Sequence, residues 1–114
     1  MDFYKLKLDK YDRIKVFHLP PGVELPFETA ENDFQCLISF VQTEGEVDEA
    51  IAEVVKAGSG TGLVLAYPKG TSKNYKSEVN RDSIIAKIQA TSEFKAPRLV
   101  SLDRDWSGFS FRRV

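Results

Sequence analysis

Apolar and polar positions fall into short runs along the chain, and each run has its own period. Residues 13–19 (Arg-Ile-Lys-Val-Phe-His-Leu) alternate and then turn apolar. That predicts a strand, stopped by Pro20-Pro21-Gly22 because proline cannot donate to a ladder. Ahead of it, Tyr4, Leu6 and Leu8 also alternate and predict a short extra strand, with residues 9–12 as its turn. Residues 20–33 are acidic and contain proline, and they read as mostly loop. Residues 34–41 are nearly continuous apolar, the pattern of a strand covered on both faces. Thr43-Glu44-Gly45-Glu46 matches a capping box. Val47, Ala50, Ile51, Val54 and Val55 then follow at helical spacing, and Gly58 supplies a stop.

The second half repeats the theme. Residues 62–67 (Gly-Leu-Val-Leu-Ala-Tyr) predict a buried strand ending at Pro68, and residues 69–79 a polar loop. Asn80 is a good N-cap, Asp82 suits the first turn, and Val79 is placed to staple onto Ile84. Ile84, Ile85 and Ile88 form the apolar face of this second helix. After Pro97, residues 98–102 predict a strand and residues 103–107 a turn. Residues 108–114 alternate, with Phe109 and Phe111 on one face and Ser110 and Arg112 on the other. The order is β, β, α, β, α, β, β. It predicts a three-layer α/β sandwich with a mostly parallel, Rossmann-like sheet that ends in an antiparallel C-terminal hairpin at one edge.

At 114 residues, with 42% apolar and 29% charged, one soluble domain over residues 1–114 is expected. Cys36 is the single cysteine and His18 the single histidine, so an internal disulfide and a Cys- or His-rich metal centre are excluded. No apolar run reaches the roughly 20 residues that span a bilayer. Residues 1–5 lack the apolar stretch of a secretory signal, so a cytoplasmic location is expected. The net charge of −1 conceals a polarity. Glu24, Glu28, Glu31, Asp33, Glu44, Glu46, Asp48, Glu49 and Glu53 follow one another with no base between, while both flanking stretches are basic. Such an arrangement orients a partner or favours head-to-tail association.

Gly58-Ser59-Gly60-Thr61-Gly62 spells a glycine-rich motif, but it follows a predicted helix and precedes a strand. A phosphate-cradling loop has the opposite order, so the motif reads as a helix-terminating turn and implies no cofactor. Gly70-Thr71-Ser72-Lys73 likewise lacks the first glycine and the following helix of a phosphate loop.

Ligands of open α/β sheets bind outside the carboxyl ends of the strands. Residues 18–20, 42–44, 67–73 and 103–106 should meet there, together with the helix cap at residues 80–82. The binding candidates are Tyr67, Lys69, Ser72, Lys73, Asn80, Arg81, Asp103, Asp105 and Trp106. Lys69 or Lys73 would meet a phosphate or carboxylate as a point charge, and Arg81 as a bidentate donor. Structural alternatives stand beside each. Arg81 could pair with Asp103 or Asp105 and pin the hairpin, and Trp106 could plug the core. Asp103 and Asp105 have no third ligand in view for a metal. No partner for His18 as a general base is apparent in the sequence, and Cys36 reads as an inert core thiol.

Leu65-Ala66-Tyr67-Pro68-Lys69 with Ser72, then Asn80-Arg81-Asp82, then Asp103 with Trp106-Ser107-Gly108-Phe109 and Phe111-Arg112, resemble the signature of a small bacterial family, domain of unknown function 3052. The likeness runs from about residue 13 to the end. The topology is also similar to the second half of a class I methyltransferase sheet, which has two β-α units followed by an antiparallel hairpin. Pro20-Pro21-Gly22 stands where the methyl-donor loop would be, so a working methyltransferase is not expected.

No catalytic constellation emerges. The leading expectation is a non-catalytic, methyltransferase-like remnant that binds a protein partner or dimerises. The alternative is a binder of, or enzyme acting on, a small phosphate- or carboxylate-bearing ligand at the strand ends. A weaker third is single-stranded nucleic-acid binding through Lys73, Tyr75, Lys76 and Trp106, and an overall pI near 5.8 argues against it.

Overall fold

The computed structural model describes residues 1–91 and 93–114. Two short 3-10 helices, Phe3–Leu6 and Leu8–Lys10, open the chain. Strands β1 (Ile14–Phe17) and β2 (Cys36–Phe40) precede helix α1 (Glu44–Ala57). Strand β3 (Gly62–Pro68), helix α2 (Arg81–Thr91), and strands β4 (Phe94–Ser101) and β5 (Trp106–Arg113) follow. The protein is a small α/β domain on a mixed five-stranded sheet of order β1-β2-β3-β5-β4. β1, β2 and β3 pair in parallel, while β5 runs antiparallel between β3 and β4. The C-terminal hairpin is therefore present, with its second strand inserted into the sheet and its first at the edge.

Both helices lie on one face. Leu37, Leu63, Leu65, Tyr67, Phe109 and Phe111 point to that face and pack under Val47, Ala50, Ile51 and Val54 of α1 and Ile84 and Ile88 of α2. The strand order explains this. The connections β2 to β3 and β3 past β5 to β4 step the same way across the sheet, so a shared hand places both helices on a shared side. Helices on both sides would need a reversal of strand order, and there is none. The expected three-layer sandwich is thus replaced by helices, sheet and an irregular cover. On the second face Cys36, Ile38, Phe40, Val64, Ala66 and Trp106 are covered by Phe3, Leu6 and Leu8, with Val23, Leu25 and Phe27 from the loop after β1.

The N-terminal cover corrects the extra strand expected at Tyr4, Leu6 and Leu8. Asp2 caps the first 3-10 turn by accepting from the Tyr4 amide at 3.2 Å, and Lys7 at φ 53° separates the two turns. A three-residue period puts Phe3 and Leu6 together in the core and leaves Tyr4 87% exposed, where alternation would have buried it. A second correction concerns β4, which begins at Phe94 rather than after Pro97. A register shift between Lys95 and Arg98 and the edge position accommodate the proline.

The expected capping box of α1 forms. The Glu46 amide donates to Thr43 Oγ1 at 3.2 Å, and Glu46 Oε1 accepts from the Thr43 amide at 3.1 Å. The glycine-rich turn lies at the far end of the sheet, where the Gly60 amide donates to the Arg113 carbonyl at 2.9 Å. Gly62 serves packing. A Cβ there would sit 2.8 Å from Tyr11 Cζ and 3.2 Å from Cys36 Sγ. Gly62→Ala is expected to destabilise the fold by about 1–3 kcal/mol through overpacking, read from the urea midpoint. In a Tyr11→Ala background the same change should cost far less.

Candidate functional site

The site is built where β3 ends and α2 begins. Tyr67 and Pro68 pair with Ser107 and Trp106 of β5, which brings the hairpin beside the strand end. α2 opens with a reciprocal cap. The Ser83 amide donates to Asn80 Oδ1 at 3.0 Å, and the Asn80 amide donates to Ser83 Oγ at 2.9 Å. Val79 and Ile84 are both buried in the same cluster, as the staple requires.

Between these elements runs the loop of residues 69–80, longer than the roughly 2–6 residues of a usual βα connection. It has no regular structure of its own, yet it is held at several points. The Lys69 amide donates to the Asp105 carbonyl at 2.7 Å. The Ser72 hydroxyl donates to Asp105 Oδ1 at 2.8 Å and accepts from the Asn74 and Tyr75 amides at 3.3 and 3.2 Å. Asn74 Nδ2 donates to Asp105 Oδ2 at 3.2 Å. Further on, Gln42 Nε2 donates to the Lys76 carbonyl at 2.9 Å, and the Glu78 amide donates to the Gln42 carbonyl at 2.8 Å.

This loop, the start of α2 and Ser107 line an open hollow of about 810 Å³. Lys69, Lys76 and Arg81 bring positive charge to its lining, and Glu78 is the acid among them. Arg81 forms no ion pair among the described residues. Tyr67 is only 6% exposed and borders the hollow. Burial pushes its phenol pKa up, opposed by the Arg81 charge and by a hydrogen bond with Ser107, while Asp82 adds to the rise. The phenol therefore stays a neutral hydroxyl near pH 7, able to donate.

Of the residues expected at this rim, Tyr67, Lys69, Ser72, Asn80 and Arg81 come together around the hollow. Lys69 Nζ meanwhile donates to Ser101 Oγ across the hairpin. Lys73 is exposed outside the lining. Asp103, Asp105 and Trp106 are corrected to structural roles. Asp103 Oδ1 accepts from the Asp105 and Trp106 amides, both at 2.8 Å, and so shapes the hairpin turn. Asp105 is occupied with Ser72 and Asn74, which leaves Arg81 unpaired by either carboxylate. Trp106 is 2% exposed, with Phe40 at 5.4 Å and Tyr75 at 5.0 Å between ring centroids. It plugs the core and offers no face on which a base could stack, which removes it from the nucleic-acid reading.

The remaining singled-out residues lie elsewhere. His18, at the end of β1 with φ 57°, places Nε2 2.7 Å from Glu49 Oε1 on α1 and stays outside the hollow. Cys36 is buried mid-sheet, and desolvation pushes its thiol up to about 12. Among the described residues, no group of three or more His, Cys, Asp or Glu side chains could hold a metal ion, and no helix is long and apolar enough to cross a membrane.

Ser77, Glu78 and Ser107 were not among the expected binding residues. Ser107 enters only through its register opposite Tyr67, which residue spacing does not show. Ser77 and Glu78 sit in a polar loop without a period, and their place depends on the anchor to Gln42. Scans against protein-family models, curated proteins and solved structures each returned no match to this chain.

Proposed function

We propose that this domain is a non-catalytic binding module that takes a small phosphate- or carboxylate-bearing molecule in the hollow between β3 and α2. The carrying observation is Arg81, a cation without an ion-pair partner among the described residues, at the first turn of α2 and in the lining of an 810 Å³ hollow. Guanidinium, free amides of the helix start and the neutral Tyr67 hydroxyl are all donors, and an anion accepts from all of them. The volume lies within the range of about 300–1,000 Å³ that small-ligand sites have. The long loop at the carboxyl edge of the sheet, held in place by Asp105 and Gln42, supports a binding role.

A Rossmann-like likeness to the second half of a methyltransferase sheet is supported by two parallel β-α units closed by an antiparallel hairpin. Membership of domain of unknown function 3052 rests on the order and spacing of the Tyr67-Pro68-Lys69, Asn80-Arg81-Asp82 and Trp106-Ser107-Gly108 motifs. A second reading, docking of a protein partner or a second copy, is favoured by the edge strand β4, where Leu99 is exposed.

A thermal-shift panel of inorganic phosphate, nucleotides, S-adenosylmethionine and sugar phosphates tests the ligand reading. A bound compound at about 100 times its dissociation constant should stabilise by roughly 2.7 kcal/mol. Arg81→Gln should abolish that gain and leave the ligand-free midpoint within about 0.5 kcal/mol of the parent, as for an exposed side chain. A panel in which no compound moves the midpoint ends the ligand reading.

A further inference from the structure

The hollow holds two groups that an anion alone would leave unused. Tyr75, a half-buried aromatic residue, and Glu78, an acid, both line it beside the cations. Tyr75 is also fixed in place. Its ring rests on Trp106 with centroids 5.0 Å apart at 60°, and Trp106 rests on Phe40 at 83°. An aromatic row thus leads from the core to the wall of the hollow. The Tyr75 amide donates to Ser72 Oγ, which donates in turn to Asp105, so the backbone under the ring is anchored to the hairpin turn. A ring held in this way loses little freedom when a ligand stacks on it.

From this arrangement we infer that the ligand is a phosphate monoester joined through a hydroxylated linker to a planar ring, the chemistry of a nucleoside monophosphate. The inference rests on the anion-binding reading above and deepens it. Arg81 and the neighbouring amides of α2 take the phosphate. Glu78 accepts from the linker hydroxyls. Tyr75 takes the ring, which stacks on an aromatic face whatever its edge pattern. The volume of about 810 Å³ accommodates all three parts, where inorganic phosphate would fill a small share of it.

Calorimetric titration with four probes tests this: inorganic phosphate, ribose 5-phosphate, adenosine 5′-monophosphate and uridine 5′-monophosphate. The two nucleotides should bind about tenfold or more tighter than ribose 5-phosphate, the difference coming from stacking. Tyr75→Leu should remove that difference and leave ribose 5-phosphate binding as it was, while Tyr75→Phe should keep the difference. Arg81→Gln should weaken all four probes together. Nucleotides that bind no tighter than ribose 5-phosphate would overturn the ring assignment and leave the anion site standing. Binding of none of the four would overturn both. If Tyr75→Leu loosens the fold through Trp106, the parent chain still decides, because nucleotides that bind no tighter than ribose 5-phosphate there overturn the ring assignment.

Discussion

Replacing Trp106 with alanine is expected to lower the unfolding free energy by about 3–5 kcal/mol, the range for removing a fully enclosed aromatic side chain. The indole is 2% exposed and lies between Phe40 and Tyr75, on the sheet face that carries no α-helix. The size of the indole and its near-complete enclosure set the cost, and the irregular cover on that face, which relaxes into a void more readily than a helix layer, keeps it within that range. The indole N–H is buried without a hydrogen-bond partner, so no polar interaction is lost with it. Trp106→Phe should therefore recover most of the loss, because it keeps an aromatic body and drops an unsatisfied donor. Urea midpoints of the three chains check this. A loss near zero for the alanine variant would mean that the ring is not part of the core.

The second large effect is a loss of stability in alkali. In the unfolded chain the Cys36 thiol ionises near pH 9, whereas burial holds the folded thiol up to about 12. Between those values the unfolded state gives up a proton that the folded state keeps, so rising pH favours unfolding. The stabilisation is fully present below pH 9 and declines by about 1.4 kcal/mol per pH unit until the folded thiol itself titrates. Tyr11 and Tyr67 are also pushed up by burial and add slope in the same direction. Cys36→Ala removes the thiol's share alone. Urea midpoints of both chains between pH 8 and 11 should diverge, with the parent falling more steeply. Two parallel curves would show that the thiol contributes nothing.

The elements of this fold were legible where apolar spacing and end signals agreed. Thr43 with Glu46, Asn80 ahead of Ile84 and Gly58 after the Val47–Val54 stripe each give a helix boundary by chemistry local to the chain. The layer arrangement was not legible, because it depends on the order of strands across the sheet, and spacing gives only their order along the chain. The 3-10 turns escaped for a related reason. Tyr4, Leu6 and Leu8 fit a two-residue period and Phe3 with Leu6 a three-residue one over so short a stretch, and the Asp2 cap decides between them. At the site, Tyr67, Lys69, Ser72, Asn80 and Arg81 could be assigned to one rim, since strand ends and helix starts gather at the carboxyl edge. Asp103, Asp105 and Trp106 belong to the same edge, but their side chains turn to backbone amides, to loop side chains and to the core. Which way a side chain turns is settled by pairing partners that lie tens of residues away.

The two sides of the sheet are closed by unlike kinds of chain. α1 and α2 carry their own hydrogen-bond ladders, while the opposite cover is fastened by the Asp2 amide on the Leu102 carbonyl, Lys5 on the Ser101 carbonyl, and the Phe3–Phe27 edge contact. Such a cover is expected to open at lower free energy than the helices do, as a unit and ahead of global unfolding. In that opened form Phe40 and Trp106 meet water and the amino-terminal segment is accessible to proteases. Nicking and self-association of this protein are accordingly expected to start from the side that carries no α-helix.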